Sequence, residues 1–276
     1  MNRLIHTLAL IALLLVAPLA RAELKVLACE PEWGALVKEL AGDKVSVYVA
    51  TTALQDPHRI EARPSLVAAA RNAGLVVCTG AELEVGWLPL LIRQSGNSAI
   101  QPGKPGHFEA AAYVRMLDVP QRLDRADGDV HAAGNPHIQT DPRNITLVAE
   151  PLARRLAELD PANAATYQAR SADFQARWKA AIQRWEQSAA PLRGVPVVVQ
   201  HKAFPYLQQW LGLVEVAALE PKPGVEPTSA HLSTVLAGLK TRPAKMILRA
   251  AYNDPRGADW LAERTQLPVV VLPFTV

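Results

Sequence analysis

Residues 24–50 read LKVLACEPEWGALVKELAGDKVSVYVA, and their alternation decides the fold. Leu24 to Cys29 is a short strand-like run, Pro31 to Ala41 carries apolar residues at helical spacing, and Val45 to Ala50 returns to β-branched residues. Working outward, a helix near Pro64 to Asn72 and a strand from Leu75 to Thr79 extend this to βαβαβ. Such alternation predicts an α/β lobe with a parallel sheet, whose loops at the carboxyl ends of the strands are available for binding.

After this lobe, Asp141-Pro142 reads as an N-cap with proline at the first helical position, followed by Ile145, Val148, Leu152, Leu156 and Leu159 at helical spacing. Pro151 is expected to kink that helix. Asp160-Pro161 opens a second, longer run to about Ser188, with Tyr167, Phe174, Trp178, Ile182 and Trp185 on one stripe that reads as core. Beyond it the alternation resumes. Strands are expected at Val195 to Val199, Leu213 to Leu219, Met246 to Leu248 and Val269 to Leu272, with helices near Phe204 to Leu211, Ser229 to Lys240 and Ala258 to Thr265. The expected organisation is therefore an N-terminal α/β lobe over 23–159, a linking helix over 160–190 and a C-terminal α/β lobe over 191–276, which stops straight after a strand as if truncated.

Residues 1–22 have a basic start at Arg3, an apolar stretch from Leu8 to Leu19, and small Ala20 and Ala22 before Glu23. This is the pattern of a cleavable secretory signal, and its apolar stretch is too short to span a bilayer. A lipoprotein reading of Val26-Leu27-Ala28-Cys29 is disfavoured, because Arg21, Glu23 and Lys25 separate it from the apolar stretch. Losing Arg3 and Arg21 leaves 27 basic against 26 acidic residues, which implies no nucleic acid or other polyanion partner. Cys29 and Cys78 both end expected strands; in an exported protein they are either a disulfide or two buried small hydrophobes.

Three histidines stand in three remote turns: Asp56-Pro57-His58, Asn135-Pro136-His137 and Gln200-His201. Each sits where a strand ends or a helix begins. Their separations exclude a local zinc finger, so they can meet only through the tertiary fold. Neutral imidazoles suit Zn2+, and three of them leave one tetrahedral position for water or a carboxylate. The prolines before His58 and His137 stiffen those turns. His107, in a Gly/Pro loop, and His231, in an exposed first helical turn, are expected to be uninvolved, and His131 is intermediate.

On these stretches the chain resembles the periplasmic metal-binding proteins of zinc and manganese ABC importers, the cluster whose lobes are joined by one long rigid helix. The resemblance rests on Asp56-Pro57-His58 with Arg63-Pro64-Ser65, Thr79 to Glu84 with Trp87, and Asn135-Pro136-His137 with Asp141-Pro142. It continues through Gln200-His201 with Phe204 and Tyr206 and through Glu226-Pro227-Thr228, so it spans nearly the whole mature chain. It implies that His58 and His137 from the first lobe and His201 from the second hold Zn2+ as transported cargo, in the cleft between the lobes. It also implies a monomeric periplasmic solute-binding protein, not an enzyme and not inserted in a membrane, that delivers the ion to an ABC importer permease.

Three departures stand out. Leu272-Pro273-Phe274 occupies the place of an acidic ligand, the histidine-rich loop is reduced to Asp127, Asp129 and His131, and a C-terminal helix is missing. The fourth ligand is expected to be water, with Asp254 as the alternative. Glu82 and Glu84 are expected to be structural. The rival readings are a zinc-dependent hydrolase, disfavoured because no His-Glu-x-x-His element is present, a manganese-selective protein of the same fold, and a metal chaperone or adhesin.

Overall fold

A computed structural model describes residues 23–124, 128 and 130–276; the expected signal segment 1–22 and the aspartates Asp127 and Asp129 lie outside the described residues. The first lobe contains β1 (Leu24–Ala28), α1 (Pro31–Ala41), β2 (Val45–Val49), α2 (Pro64–Asn72), β3 (Leu75–Cys78), α3 (Leu88–Ser95) and β4 (His107–Glu109). Its sheet is parallel, in the order β2-β1-β3-β4. Helix α4 (Pro142–Leu159) then leads into α5 (Ala164–Ala189), whose 26 residues span about 39 Å at 1.5 Å each. The second lobe holds β5 (Pro196–Val199), α6 (Pro205–Leu211), β6 (Val214–Ala218), α7 (Ser229–Gly238), β7 (Met246–Ala250), α8 (Arg256–Thr265) and β8 (Val269–Leu272). Its sheet has the equivalent parallel order β6-β5-β7-β8. Two α/β lobes joined by one long helix are thus observed.

The inner strands β3 and β5 are covered on two faces, which explains why they are apolar runs, β3 fully and β5 largely buried. Under one face of the first sheet, Trp33, Leu36, Val37 and Leu40 of α1 pack with Val148, Leu152 and Leu156 of α4 and with Tyr167 and Phe174 of α5. Tyr206 of the second lobe enters this same cluster, so the two lobes share a core. Asp141 caps α4 by accepting from the Arg143 backbone N–H at 2.9 Å, and Pro151 lies inside that continuous helix.

Two expectations need correction. The aromatic stripe on α5 is core only along its first half: Tyr167 and Phe174 are buried, whereas Trp185 is 41% exposed, because the second half leaves the first lobe and runs along a groove. His107 lies not in a loop but at the start of β4, where its ring contacts the Ile100 carbonyl at 3.0 Å and Glu109 at 3.1 Å. The Gly/Pro signals around it hid a three-residue edge strand. Cys29 and Cys78, at adjacent strand ends, form a disulfide.

Candidate metal centre

The fold gathers three histidines from three different connections. His58 lies in the loop after β2, His137 just before α4 and His201 just after β5. Each then occupies a loop at the edge where its sheet ends, the place where parallel sheets present ligand groups. Their rings come together at the seam of the lobes, with centroids 5.4 Å apart for His58 and His137, 5.4 Å for His137 and His201, and 6.0 Å for His58 and His201. One nitrogen from each lies within 4.8 Å of the other two, against the roughly 3.4 Å that zinc–nitrogen bonds of about 2.05 Å in a tetrahedron would set. A small inward adjustment would therefore close the set on one ion.

The opposite ring nitrogens settle which edge faces inward. His58 Nδ1 is 2.7 Å from Asp56 Oδ1, His137 Nδ1 is 2.8 Å from Asn135 Oδ1, and His201 Nδ1 is 2.7 Å from Glu220 Oε2. A carboxylate or amide oxygen accepts and does not donate, so each Nδ1 must carry the proton. In the neutral rings this leaves the Nε2 lone pairs available. Nε2 of His58 and Nε2 of His137 are indeed buried, with no hydrogen-bond partner among the described residues. Buried nitrogen that binds nothing costs free energy unless something else arrives to accept the lone pair. Such outer oxygens are what fixes the tautomer and orientation of a metal-binding histidine.

Local chain geometry explains two of these partners. In both Asp56-Pro57-His58 and Asn135-Pro136-His137 the first side chain accepts from the histidine backbone N–H as well, at 3.0 and 3.1 Å. The shared Asx-Pro-His tripeptide therefore builds the same small turn twice. Trp87 donates to the Pro57 carbonyl at 2.8 Å and pins the first turn to the core. Asn135 does more, since its Nδ2 donates to the Lys202 carbonyl at 2.8 Å and ties the second turn to the other lobe. Tyr206 donates to the Asn135 carbonyl at 2.7 Å and accepts from Leu117 N–H at 3.0 Å.

Electrostatics follow from burial. Burial first, and then the neighbouring His58, His201 and His131, hold His137 well below the usual histidine range. It stays neutral, as a ligand must. Burial pushes the Asp56 carboxyl up, but its bonds to the ring and backbone of His58 outweigh that and keep it lowered. Asp56 and Glu220 thus place negative charge behind two of the three rings.

Other residues singled out in the sequence fall elsewhere. Asp254 is engaged by Arg256, which contacts its carboxylate through Nε at 2.7 Å, and its carbonyl accepts from Gln200 at 2.6 Å. It belongs to no ligand cluster with the histidines. His131 stacks over His58 at 5.4 Å. His231 is half-buried rather than exposed, with Nε2 3.0 Å from the Ala218 carbonyl. Glu84 is buried beneath the turn after β3 and accepts from Thr79 and Gly80 N–H at 2.8 and 3.1 Å. Asn135 and Asp56 were visible in the repeated tripeptide, whereas Glu220, nineteen residues beyond its histidine, left no sequence signal.

Comparison with known proteins bears on the same features. Residues 26–275 match a family model described as ZnuA, zinc-uptake complex component A, periplasmic. The chain is 26% identical over 271 residues to the high-affinity zinc uptake system protein ZnuA of Paracoccus denitrificans, covering 86% of this chain and 79% of that protein. It is 23% identical over 258 residues to the manganese ABC transporter substrate-binding lipoprotein PsaA of Streptococcus pneumoniae, covering 92% and 80%. A crystal structure of ZnuA superposes with a TM-score of 0.77 at 23% identity over 92% of both chains, which bears on the fold.

Proposed function

Because the chain belongs to the family of periplasmic zinc-uptake component A, we propose that it captures Zn2+ through His58, His137 and His201. Members of that family are substrate-binding proteins of metal ABC transporters, so the chain is a metal carrier that works with a membrane permease and ATPase, and not an enzyme. The hydrolase reading is set aside on that ground. Relatives divide between zinc and manganese, and the choice of zinc rests on the donor atoms.

One observation carries it. Three imidazoles from both lobes bring ring nitrogens toward a common point, while two carboxylates beside them, Asp56 and Glu220, are occupied in holding two of the rings. Manganese favours oxygen donors, and zinc is content with nitrogen. With three nitrogens, water completes the coordination, since Asp254 is committed to Arg256. The protein acts as an exported monomer, its residues 1–22 serving as the signal, and docking on the permease draws His201 away from the other two.

Elemental analysis of the mature protein after exposure to equimolar divalent ions tests this, run beside His58→Ala, His137→Ala and His201→Ala. Zinc should be retained at one per chain, at least tenfold over manganese, and each replacement should lower retention. Equal retention of manganese, or a His201→Ala variant that binds as the parent does, refutes the assignment.

A further inference from the structure

A second group of metal-binding side chains lies inside the first lobe, apart from the histidines. Cys29 follows β1 and Cys78 ends β3, and one ligand atom from each, with a carboxylate oxygen of Glu84, lies within 4.8 Å of the other two. The cysteines are fully buried and Glu84 is 2% exposed. Joined as a disulfide, the two sulfurs offer no thiolate. As a dithiol they would, because their Cα atoms stand 4.8 Å apart, close enough for both sulfurs to reach one ion at about 2.3 Å.

The acids beside the sulfurs lack a counter-charge. Glu30, next to Cys29 in the chain, is buried like Glu84, and neither makes an ion pair among the described residues. Glu84 is fixed by the Thr79 and Gly80 N–H groups, and Glu30 Oε2 accepts from the Thr79 hydroxyl at 3.3 Å. Glu30 Oε1 is buried with no hydrogen-bond partner among the described residues. Burial first, and then the charges of Glu84 and Glu32, push the Glu30 carboxyl well above its usual range. Acids crowded in this way are costly unless they hold protons or a cation. Two thiolates beside a carboxylate select a thiophilic divalent ion.

We propose that the chain in its dithiol form holds a second divalent ion, of the zinc and cadmium class, on Cys29 Sγ, Cys78 Sγ and Glu84. Binding breaks two S–H bonds, forms two metal–sulfur bonds and passes both protons to solvent, so no electrons are exchanged. Closing the disulfide afterwards hands two electrons to an external protein disulfide, which takes up two protons and becomes a dithiol, and the ion leaves. Metal and disulfide exclude one another. None of the three histidines belongs to this group, so the inference stands apart from the histidine assignment.

The mature chain can be unfolded, reduced with a phosphine, desalted and refolded without oxygen in the presence of Cd2+, beside the disulfide-bonded chain. The refolded chain should show the ultraviolet sulfur-to-cadmium charge-transfer band, saturating at one ion per chain, and its thiols should alkylate at least tenfold more slowly than without cadmium. The disulfide-bonded chain should show no band. Glu84→Gln, with its fold checked by circular dichroism, should weaken this cadmium at least tenfold in competition with a chelator. Cadmium nuclear resonance of the parent, which separates two sulfurs with oxygen from sites of nitrogen or of four sulfurs, serves if that variant does not fold. Replacing His58, His137 and His201 together by alanine should leave the band within twofold, which tells failure here from failure of the histidine assignment. No band, a dithiol chain that does not fold with cadmium, unprotected thiols, a four-sulfur resonance, or affinity untouched by Glu84→Gln overturns the proposal.

Discussion

Replacing Glu220 with glutamine keeps the length of the side chain and removes one negative charge from behind His201. Glu220 Oε2 accepts from His201 Nδ1 at 2.7 Å and from Gly224 N–H at 2.8 Å, so it is held in place from two sides. An ion about 2.05 Å from Nε2 would stand roughly 6.5 Å from that oxygen, an attraction of about 5 kcal/mol for a dication at an effective dielectric of about 20 and about 1 kcal/mol in bulk water. The side chains of His201 and Glu220 are 10% and 13% exposed, which puts the pair between those limits and toward the screened one. Glutamine can still accept from Nδ1, so the tautomer survives and the lost charge dominates. We expect zinc affinity to fall about ten- to a hundredfold, or about 1.4–2.7 kcal/mol. Competition against a chromophoric chelator at fixed pH and salt would read this. A dissociation constant within threefold of the parent, in a variant with an unchanged melting curve, would refute the reasoning that the outer carboxylates tune the ion.

Other outcomes follow from the same interactions. In the metal-free protein the stability that His137 contributes should be lost as pH falls below about 6.5, because the unfolded chain protonates His137 while burial keeps the folded one from doing so. Burial has the opposite effect on Glu32 and Glu84, pushed up to about 7. The folded state keeps protons there that the unfolded state releases above its ordinary carboxyl pKa, so their contribution declines as pH rises toward 7 and is gone above it. Below about pH 6.5 the two effects therefore oppose one another, and in thermal melts across pH 4–9 Glu32→Gln should lessen the loss of stability as pH rises from about 4.5 to about 7; an unchanged slope over that range counts against the assignment. Replacing Cys29 and Cys78 together by serine opens a closure of 49 residues and should cost about 2–4 kcal/mol in urea unfolding. A loss under 0.5 kcal/mol would contradict the tie's importance. Tyr206→Phe deletes the hydroxyl that joins Asn135 and Leu117 and should cost about 1–3 kcal/mol, which a melt within one degree of the parent would exclude.

Much of this was legible because the decisive signals are local. Parallel strands buried on both faces leave unbroken aliphatic runs, and Asp141-Pro142 marks the start of α4 as well as any cap can. Even the turns that carry His58 and His137 are written in three residues each. What escaped was nonlocal or short. Strand β4 has three residues and helix α3 has eight, too few for a period to rise above the surrounding Gly and Pro. Glu220 is chosen by where β6 ends relative to β5, a pairing the chain does not announce. The exposure of Trp185 has the same origin: spacing reveals that a helix has an apolar stripe, but the neighbour that covers it, or leaves it open, is decided by the path of the rest of the chain.

Asn135 has one further consequence. A single amide braces His137 with its oxygen and clasps the Lys202 backbone, next to His201, with its nitrogen. Any tug that shifts the far half of the molecule therefore strains the brace of one imidazole while carrying off its neighbour. Grip on the cargo would then slacken at two points for one small displacement, so unloading can be abrupt without a wide opening.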